Sequence, residues 1–551
     1  MKNKIEIQLI GPDYQKIEIL NNTFILISVG KIDTLLVRKV ILSNLFNDHK
    51  MIDQLSKLIG EFSFIRINRK DEKPTNIFAF RSITSNFELF YANIDAGLIL
   101  SNNFRNILSS THLNQRIQSD EAIVDLFLFQ RNYGDRTYIK SINRLGFGES
   151  IEYIVSDGVV KKEQIQRIEI SNEYFSVKEC TNKIEEQLGV SINQLEAENQ
   201  INTLSGGVDS SLVQTYLSPK NKSISVAYDT PEFRNEIDYA TNASALLQTN
   251  HEFIKIKETD YLPKFIDSVF ALGQPSPDIS NIVIAEELSK SRHQHFLTSM
   301  LADGIFGLPT IKELYELNEE KESNVKKGLD LPYNHRDGFA SQRFCIARKN
   351  DINLIKNIFG EKLVNERIEE RLDFTNKKIV FTAKPQSAFS AHSQYGSILD
   401  FFTNNILSIF RQIGSNYGKS FSSPFLDESI INASFQIKPE ERYFSKQHGT
   451  KPVLKAILQR RLNKYEVNNS KLGDALPRTR FCENGPFIGF FESNPIPDFI
   501  NDEYRKQLLA PNWDNSWIVL YSIFYSIWEN NVLKNKNLSL IKDTEVLRWH
   551  F

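Results

Sequence analysis

Residues 204 to 211, with the sequence LSGGVDSS, constrain the fold of this chain more than any other segment. An apolar run, Ile201–Leu204, leads into the pair Gly206 and Gly207, and a helix-like run, Ser211–Leu217, follows. Glycines let a backbone approach a ligand closely, and the N–H groups that open a helix point at negative charge. A strand, a glycine turn and a helix start therefore predict an anion-binding loop, although a Ser-rich Gly-Gly segment can also be only a turn.

The polar residues of this segment indicate which anion it binds. Ser205, Ser210 and Ser211 offer hydroxyl donors, and Asp209 can hold a metal ion beside phosphates. The segment resembles the SGGxDS pyrophosphate loop of ATP pyrophosphatases, which cleave ATP between its α and β phosphates. The kinase-type loop, GxxxxGK[ST], does not occur. The resemblance therefore implies adenylylation rather than phosphorylation.

Composition excludes several other classes of protein. The chain has 551 residues, and 66 basic against 68 acidic residues give a formal net charge of −2 without a strong charged block, so no electrostatic footprint for nucleic acid is present. The three cysteines, Cys180, Cys345 and Cys482, lack metal-site spacing and are typical of thiols in a reducing compartment. The N-terminus is too polar for a signal peptide, and the apolar stretch Trp517–Trp528 is shorter than the ~20 residues of a spanning helix. We expect a soluble cytoplasmic protein.

Hydrophobic alternation divides the chain near residues 165 to 180. The first part predicts strands separated by Asn, Gly and Asp clusters, namely Ile5–Leu9, Phe62–Ile67, Ile77–Arg81, Phe87–Tyr91, Leu98–Leu100 and Ser150–Ile154, with a helix at Asp120–Phe129. The second part alternates helices and strands, with helices predicted at Lys178–Asn193, Asn235–Leu247 and Asn281–Arg292 and strands at Lys222–Ala227, His251–Ile256 and His295–Thr298. This alternation predicts an α/β fold with a parallel sheet. The charged segment Ile311–Tyr395 carries no catalytic signature.

Three further segments match one family in order and spacing. Leu297–Gly307 (LTSMLADGIFG) is similar to LSGEGADELFGG, Ser423–Asp427 contains PFLD, and Lys451–Lys455 with the later Asn469–Gly473 is similar to a KxxLR helix and its lysine turn. With the loop, these segments resemble asparagine synthetases and their relatives, which include β-lactam-forming synthetases and the cyclases that close the macrolactam of lasso peptides.

The first half resembles the same family more weakly, as a class II glutaminase-like domain. The matching segments are Leu58–Phe64, Phe78–Arg81, Leu89–Tyr91 and Ile142–Glu149. The resemblance implies an αββα sandwich of the N-terminal-nucleophile type in residues 1–170 and a parallel α/β ATP-pyrophosphatase domain with helical additions in residues 176–551. A working glutaminase of this family needs Cys directly after the initiator Met, where this chain has Lys2. The resemblance therefore implies a glutaminase scaffold that has lost its reaction, as in the β-lactam and lasso-type relatives.

A second departure concerns acid–base chemistry. Met300 stands where asparagine synthetases carry a glutamate and β-lactam-forming relatives a tyrosine, and Ser420 and Ser422 replace acidic and basic residues before PFLD. A methionine can be neither general base nor charge partner. Another residue removes the proton, or the chemistry relies on positioning and a cation, or the chain is a non-catalytic relative.

The resemblance also implies roles for individual residues. Asp209 and Asp303 would bind Mg2+, Lys451 would add positive charge to the pyrophosphate, and Lys471 would stabilise the tetrahedral intermediate. ATP would be bound by Leu204, Ser205, Gly206, Gly207, Asp209, Ser210, Ser211, Val226 and Thr298. Asp303 could instead cap a helix, and Asp427 is expected to order a turn.

We therefore predict an AMP-forming amide synthetase that adenylates a carboxylate and joins it to an amine carried by the same substrate. A peptide or small-molecule carboxylate is the expected substrate, with a macrolactam of the lasso type or a lactam as product, and a leader protease or another biosynthetic enzyme is the expected partner. Neither nucleic acid nor membrane is expected to bind. The alternatives are an ammonia-dependent asparagine-type synthetase and a non-catalytic scaffold.

Overall fold

The structure is a computed structural model. It describes residues 4–45, 47–95, 97–113, 115–129, 132, 134–170, 173–217, 222–276, 278–307, 352–381, 406–438, 441–442, 444–445, 449–465, 478–509 and 516–550.

Two stacked sheets make up most of the first half of the chain. The strands of this half are β1 (Lys4–Leu9), β2 (Tyr14–Ile19), β3 (Asn22–Ile27), β4 (Ser63–Lys70), β5 (Lys73–Arg81), β6 (Phe90–Ile94), β7 (Gly97–Ser101), β8 (Asn143–Arg144), β9 (Glu149–Ile154), β10 (Val159–Gln164) and β11 (Ile168–Ile170). The second half adds β12 (Ile201–Thr203), β13 (Lys222–Asp229), β14 (Asn250–Lys257), β15 (His295–Leu297), β16 (Ile379–Phe381), β17 (Ser420–Ser422), β18 (Phe444–Ser445), β19 (Gly449–Thr450) and β20 (Glu545–His550). One sheet has the order β10-β9-β5-β4-β3-β2 and the other β20-β1-β7-β6-β8.

Helices cover the sheets and fill the second half. They are α1 (Thr34–Ser43), α2 (Asp48–Ile59), α3 (Phe104–Leu108), α4 (Asp120–Phe129), α5 (Val177–Leu195), α6 (Val208–Gln214), α7 (Arg234–Leu246), α8 (Tyr261–Leu272), α9 (Ile279–Lys290), α10 (Ala302–Phe306), α11 (Ile352–Phe359), α12 (Glu361–Lys378), α13 (Ile406–Ser415), α14 (Glu428–Phe435), α15 (Pro452–Arg461), α16 (Arg478–Glu483), α17 (Phe490–Ser493), α18 (Asp502–Leu509) and α19 (Ser516–Trp528).

The strand β3 shows why the first half forms a four-layered sandwich. Its residues from Thr23 to Ile27 are all buried, because successive side chains point to opposite faces and both faces are covered. Ile25 and Ile27 join the core between the two sheets. Phe24 and Leu26 join a second core, formed with α1 and α2 on the outer face of the six-stranded sheet. The helices α3 and α4 pack on the outer face of the other sheet, where the rings of Phe90 and Phe104 lie 5.2 Å apart. The predicted αββα layering is thus confirmed.

A parallel sheet forms the centre of the second half. Its order is β14-β13-β12-β15-β17, and every neighbouring pair is parallel. The helix α5 that leads into it starts at a capping box, in which Ser176 and Glu179 each accept from the other residue's backbone N–H. The predicted α/β fold class is confirmed.

The two halves are joined by a shared core and by the last strand. On α4, Phe127 packs 5.5 Å from the ring of Tyr521 on α19, and the carboxylate of Asp125 forms a buried ion pair with Arg367 on α12. Strand β20 pairs antiparallel with β1, with Lys4 opposite His550. The chain therefore returns to its first strand after building the parallel sheet.

Most predicted elements agree with the structure, and some are shifted along the chain; the helix predicted at Ser211–Leu217 is α6, Val208–Gln214. The helix predicted at Asp120–Phe129 coincides with α4, and the strand predicted at Lys222–Ala227 lies within β13. The strand predicted at Phe87–Tyr91 begins only at Phe90. Before Phe90, the Phe87 carbonyl does not bond to a neighbouring strand's backbone within the described part of the chain but accepts a hydrogen bond from the Ser63 hydroxyl at 2.6 Å. Among the described residues, none of the helices is both long and apolar enough to cross a membrane.

Candidate active site

The LSGGVDSS loop follows β12, the strand from which the parallel sheet extends in both directions. From β12 the chain adds β13 and β14 on one side, and later β15 and β17 on the other. Ligands of open α/β sheets bind outside the carboxyl ends of the strands at such a switch point. The loop after β12 begins at Leu204, and the loop after β15 begins at Thr298. These two segments, 94 residues apart in sequence, meet at the switch point. The Thr203 hydroxyl donates to the Leu297 carbonyl there at 3.4 Å.

Backbone bonds fix the first residue of the loop. The Leu204 side chain is buried, and its N–H donates to the Ile224 carbonyl at 2.9 Å. The Ser225 hydroxyl donates to the Leu204 carbonyl. The backbone of Leu204 therefore anchors the loop to β13. Because its side chain is buried, only this backbone could contact a nucleotide.

Serine hydroxyls hold the loop in shape. The Ser210 hydroxyl accepts from the Ser205 N–H at 3.1 Å and lies 3.0 Å from the Ser205 hydroxyl. The Ser205 hydroxyl also accepts from the Gly207 N–H at 3.4 Å. Ser210 is buried and Ser205 is exposed, so Ser210 shapes the loop from inside while Ser205 lies at its surface.

Gly206 is the position where the loop requires glycine. Its φ of +75° lies in the left-handed region, and a Cβ there would lie 2.4 Å from the backbone carbon and oxygen of Tyr239 on α7. Because the neighbour is backbone, it cannot rotate away as a flexible side chain would. The loop is therefore packed against α7 at its turn.

Tyr465 braces the same turn from the other side. Its hydroxyl donates to the Gly206 carbonyl and accepts from the Ser211 hydroxyl at 3.3 Å. Burial, reinforced by the charge of Asp209, raises the pKa of the Tyr465 hydroxyl, so the residue remains a neutral donor. No sequence motif points to Tyr465, because it lies 254 positions after Ser211 and belongs to none of the matched segments.

Two carboxylates of the site converge on one lysine. Lys451 Nζ lies 2.5 Å from Asp209 Oδ2 and 2.5 Å from Asp303 Oδ1. Burial alone would lower the pKa of Lys451, but the two carboxylates raise it above its ordinary value, so the ammonium stays charged. Three residues predicted from separate motifs are thus brought together, and Asp303 does not serve as the N-cap of α10, a position occupied by Leu301.

Strained backbone marks both helix starts at this cluster. Leu301, which precedes α10, has φ of +72°, and Lys451, which precedes α15, has φ of +56°. Such non-glycine positions cost about 1–3 kcal/mol each and persist where the surroundings impose them. Gly307 closes the cluster, since a Cβ there would lie 2.8 Å from Lys451 Cε and 3.2 Å from Asp303 Oδ1.

The donor set fits a magnesium ion that is shared with a nucleotide. Mg2+ is typically held by one or two carboxylates together with substrate phosphates. Asp209 Oδ2 and Asp303 Oδ1 lie at equal distances from one nitrogen, so they are no farther apart than twice 2.5 Å. Within the described part of the chain, no group of three or more His, Cys, Asp or Glu side chains forms a metal site. Asp209 and Asp303 would therefore hold the ion only with ligands from phosphate and water.

The other predicted residues take supporting positions. Thr298 is buried, and both its N–H and its hydroxyl donate to the Ser422 carbonyl, at 2.8 and 3.1 Å. Val226 is half-buried on β13. The side chain of Met300 packs against the core, and its carbonyl accepts from the Ser423 hydroxyl at 2.7 Å.

Two predicted residues near the later motifs have different outcomes. Asp427 caps α14 by accepting from the Ser429 N–H at 2.8 Å, as expected for a residue that orders a turn. Lys471, the residue predicted to stabilise the intermediate, lies outside the described residues, as does Lys2. Lys455, which is buried, lies one helical turn after Lys451, and burial and the charge of Lys451 lower the pKa of Lys455.

Comparison with known proteins identifies the family. The family model described as asparagine synthase matches residues 183–481, more than half of the 551 residues. The chain belongs to the asparagine synthase family. This is a family of ATP-dependent carbon–nitrogen ligases, and the matched range contains the loop, Asp209, Asp303 and Lys451.

Other comparisons add little to the family assignment. No curated protein matches the chain. Among solved structures, an NMN synthetase from Francisella tularensis matches at 13% identity and a TM-score of 0.20, over 39% of this chain and all of that one. The asparagine synthase match therefore carries the assignment.

Proposed function

We propose that this member of the asparagine synthase family is an AMP- and pyrophosphate-forming amide synthetase, which activates a substrate carboxylate and joins it to an amine borne by the same substrate. The observation that carries the proposal is the convergence of Asp209, Lys451 and Asp303 beside the LSGGVDSS loop at the sheet's switch point. A macrolactam of the lasso type or a smaller lactam is the proposed product, and a leader protease or another biosynthetic enzyme is the proposed partner.

The proposed chemistry follows from the weakness of a carboxylate as an acyl donor. A carboxylate oxygen attacks the α phosphorus of ATP, the bond to the bridging oxygen breaks, and pyrophosphate leaves. The amine then attacks the acyl-adenylate carbonyl, and the amide forms with release of AMP and one proton. Charge develops on the pyrophosphate and then on the carbonyl oxygen, and preorganised cations and N–H groups stabilise such charge most effectively.

Each described residue has a place in this scheme. The exposed Ser205 hydroxyl and the backbone amides of the loop would bind the pyrophosphate, and Lys451 would neutralise part of its charge. Asp209 and Asp303 would hold Mg2+, which supplies positive charge to the phosphates when it is bound. We propose Lys471 for the tetrahedral intermediate on the family resemblance alone.

The absence of any cysteine before Cys180 in the sequence supports an amine that comes with the substrate. The first cysteine of the sequence, Cys180, lies in α5, so no strand of the sandwich carries a thiol nucleophile. We propose that residues 1–170 form a glutaminase-like domain without that reaction and that glutamine is not the nitrogen donor.

Isotope transfer tests the proposal directly. Candidate linear peptides with a free α-amine, and aspartate with ammonium, are incubated with ATP after 18O labelling of the carboxylate. We expect label in AMP, formation of pyrophosphate, and a peptide product lighter by one water. Label in AMP only with aspartate and ammonium would favour the ammonia-dependent alternative, and formation of ADP would refute adenylylation.

Two matched variants separate the site from the fold. Asp303→Asn should abolish AMP formation, because it removes one carboxylate of the pair. Asp53→Asn is the control, since Asp53 also contacts a lysine and its side chain is 60% exposed against 63% for Asp303. Equal AMP release from both variants would contradict the role of Asp303.

A further inference from the structure

The same two carboxylate oxygens serve two different cations in the proposed site. Lys451 Nζ already lies 2.5 Å from Asp209 Oδ2 and from Asp303 Oδ1. A magnesium ion would need to approach those oxygens to about 2 Å. Two positive charges cannot share these positions, so the ammonium and the metal ion exclude each other there.

We infer that Lys451 is the resident counter-ion of the Asp209–Asp303 pair, and that a divalent cation therefore binds this pair together with a nucleotide rather than to the protein alone. The inference rests on the proposed function, because it takes the nucleotide phosphates to be the group that replaces the carboxylates as partners of Lys451.

The surroundings of Lys451 support a guided exchange of partners. Its backbone lies in the left-handed region at the start of α15, and the side chain passes Gly307, where a Cβ would lie 2.8 Å from Lys451 Cε. The stem is therefore confined while the ammonium group at its end can exchange one set of oxygens for another. Phosphate oxygens are strong acceptors for an ammonium donor.

Charge repulsion and attraction explain why Lys451 would leave the carboxylates only when metal and nucleotide bind together. Without Lys451, two carboxylates close together repel each other, and a divalent cation would relieve this repulsion. With Lys451 in place, the metal must first displace a charged donor. A nucleotide brings phosphate oxygens both for the metal and for Lys451, so metal and nucleotide should bind with positive coupling, which is reciprocal by thermodynamic linkage.

Manganese binding without nucleotide tests this inference. Free Mn2+ is titrated against the full chain and followed by electron paramagnetic resonance. The wild type should bind Mn2+ weakly, and Lys451→Met should bind it about tenfold more tightly or better, because a competing charge is gone. The double variant Lys451→Met/Asp303→Asn should lose that gain, which places the metal on the pair. If Lys451→Met does not fold, Lys451→Gln replaces it.

Lys162, which also lies between two carboxylates, is the matched control for the effect of Lys451 on Mn2+ binding. Lys162 Nζ lies 2.7 Å from Asp135 Oδ2 and 2.7 Å from Glu149 Oε2, on strand β10 of the six-stranded sheet. The titrations are repeated with α,β-methylene-ATP, which cannot be cleaved at the bond in question. The analogue should strengthen Mn2+ binding in the wild type and in Lys162→Met, and less so in Lys451→Met.

The outcomes keep this inference separate from the proposed function. Wild-type protein that binds Mn2+ alone as tightly as Lys451→Met would overturn the counter-ion role, even where AMP formation is intact. Absence of AMP formation would refute the proposed function and leave the manganese result without nucleotide unaffected.

Discussion

Replacing Tyr465 by phenylalanine tests whether the loop must be held in one shape for nucleotide binding. The variant removes a single oxygen, which donates to the Gly206 carbonyl and accepts from the Ser211 hydroxyl. A buried acceptor left without its donor costs about 1–3 kcal/mol. The turn at Gly206 would relax in the free protein, and a nucleotide would have to restore it on binding.

The magnitude follows from that cost. If binding supplies the full amount, the Kd for the magnesium complex of α,β-methylene-ATP should rise by about fivefold to a hundredfold. Isothermal titration calorimetry measures this without knowledge of the carboxylate substrate. The free energy of unfolding, from urea denaturation, should fall by a smaller amount because the relaxed loop recovers part of the loss.

Tyr216→Phe is the matched control for this experiment. The Tyr216 hydroxyl donates to the Glu185 carbonyl at 2.9 Å and does not contact the loop. This variant should lose stability and keep the nucleotide affinity. Equal affinities in Tyr465→Phe, Tyr216→Phe and the wild type would refute the argument that Tyr465 orders the loop.

Further substitutions test the turn, a half-buried carboxyl group and the junction of the two halves. Gly206→Ala should destabilise the protein by more than about 2 kcal/mol in urea unfolding and weaken nucleotide binding, because a Cβ meets backbone at a left-handed position; unchanged affinity would contradict this. Burial, opposed by a hydrogen bond from Ser420, raises the pKa of Asp13 to about 6, above its unfolded value, so the native state binds the proton more tightly. Wild-type stability should therefore fall by about 2–3 kcal/mol relative to Asp13→Asn as the pH rises from about 4 to about 7. Parallel pH profiles of the unfolding free energy in the two proteins would refute this cause. Arg367→Met leaves the Asp125 carboxylate buried without its ion-pair partner, so the free energy of unfolding should fall by about 3–5 kcal/mol. The double variant Arg367→Met/Asp125→Leu should recover most of this stability. An equal loss in the single and double variants would contradict the pairing.

The parts of the site that could be predicted from sequence are those whose chemistry is contiguous. The LSGGVDSS segment combines glycines, hydroxyls and a carboxylate within eight residues, so the sequence alone predicts an anion-binding loop there. Asp303 and Lys451 were predicted from short motifs, and the structure brings both to Asp209. Tyr465 was not predicted, because its contacts with Gly206 and Ser211 span 259 and 254 residues of sequence.

The fold shows the same limit at longer range. Alternation predicted β1 and most of the sheet strands, because local burial determines the pattern. The pairing of Lys4 with His550 is not encoded in either segment alone. Strand β20 has a weak pattern, because none of its six residues is buried in a way that would mark it as part of a sheet. The left-handed backbone at Leu301 and Lys451 could not be predicted from the sequence either, because both residue types disfavour it and only tertiary packing imposes it.

The packing of Met300 bears on how the amine of the proposed reaction would lose its proton. Its side chain packs against the core and its carbonyl is bound by the Ser423 hydroxyl, so this position supplies neither an acid nor a base. A peptide α-amine has a pKa of about 8 and is partly neutral near pH 7, so it can attack an adenylate without a protein base once it is held in place. The rate of amide formation should therefore rise with pH up to about 8 and follow the nucleophile. Replacing the α-amine by a less basic hydrazide should move the inflection to lower pH. An inflection that stays at one pH with both nucleophiles would identify a protein base and refute the argument from Met300.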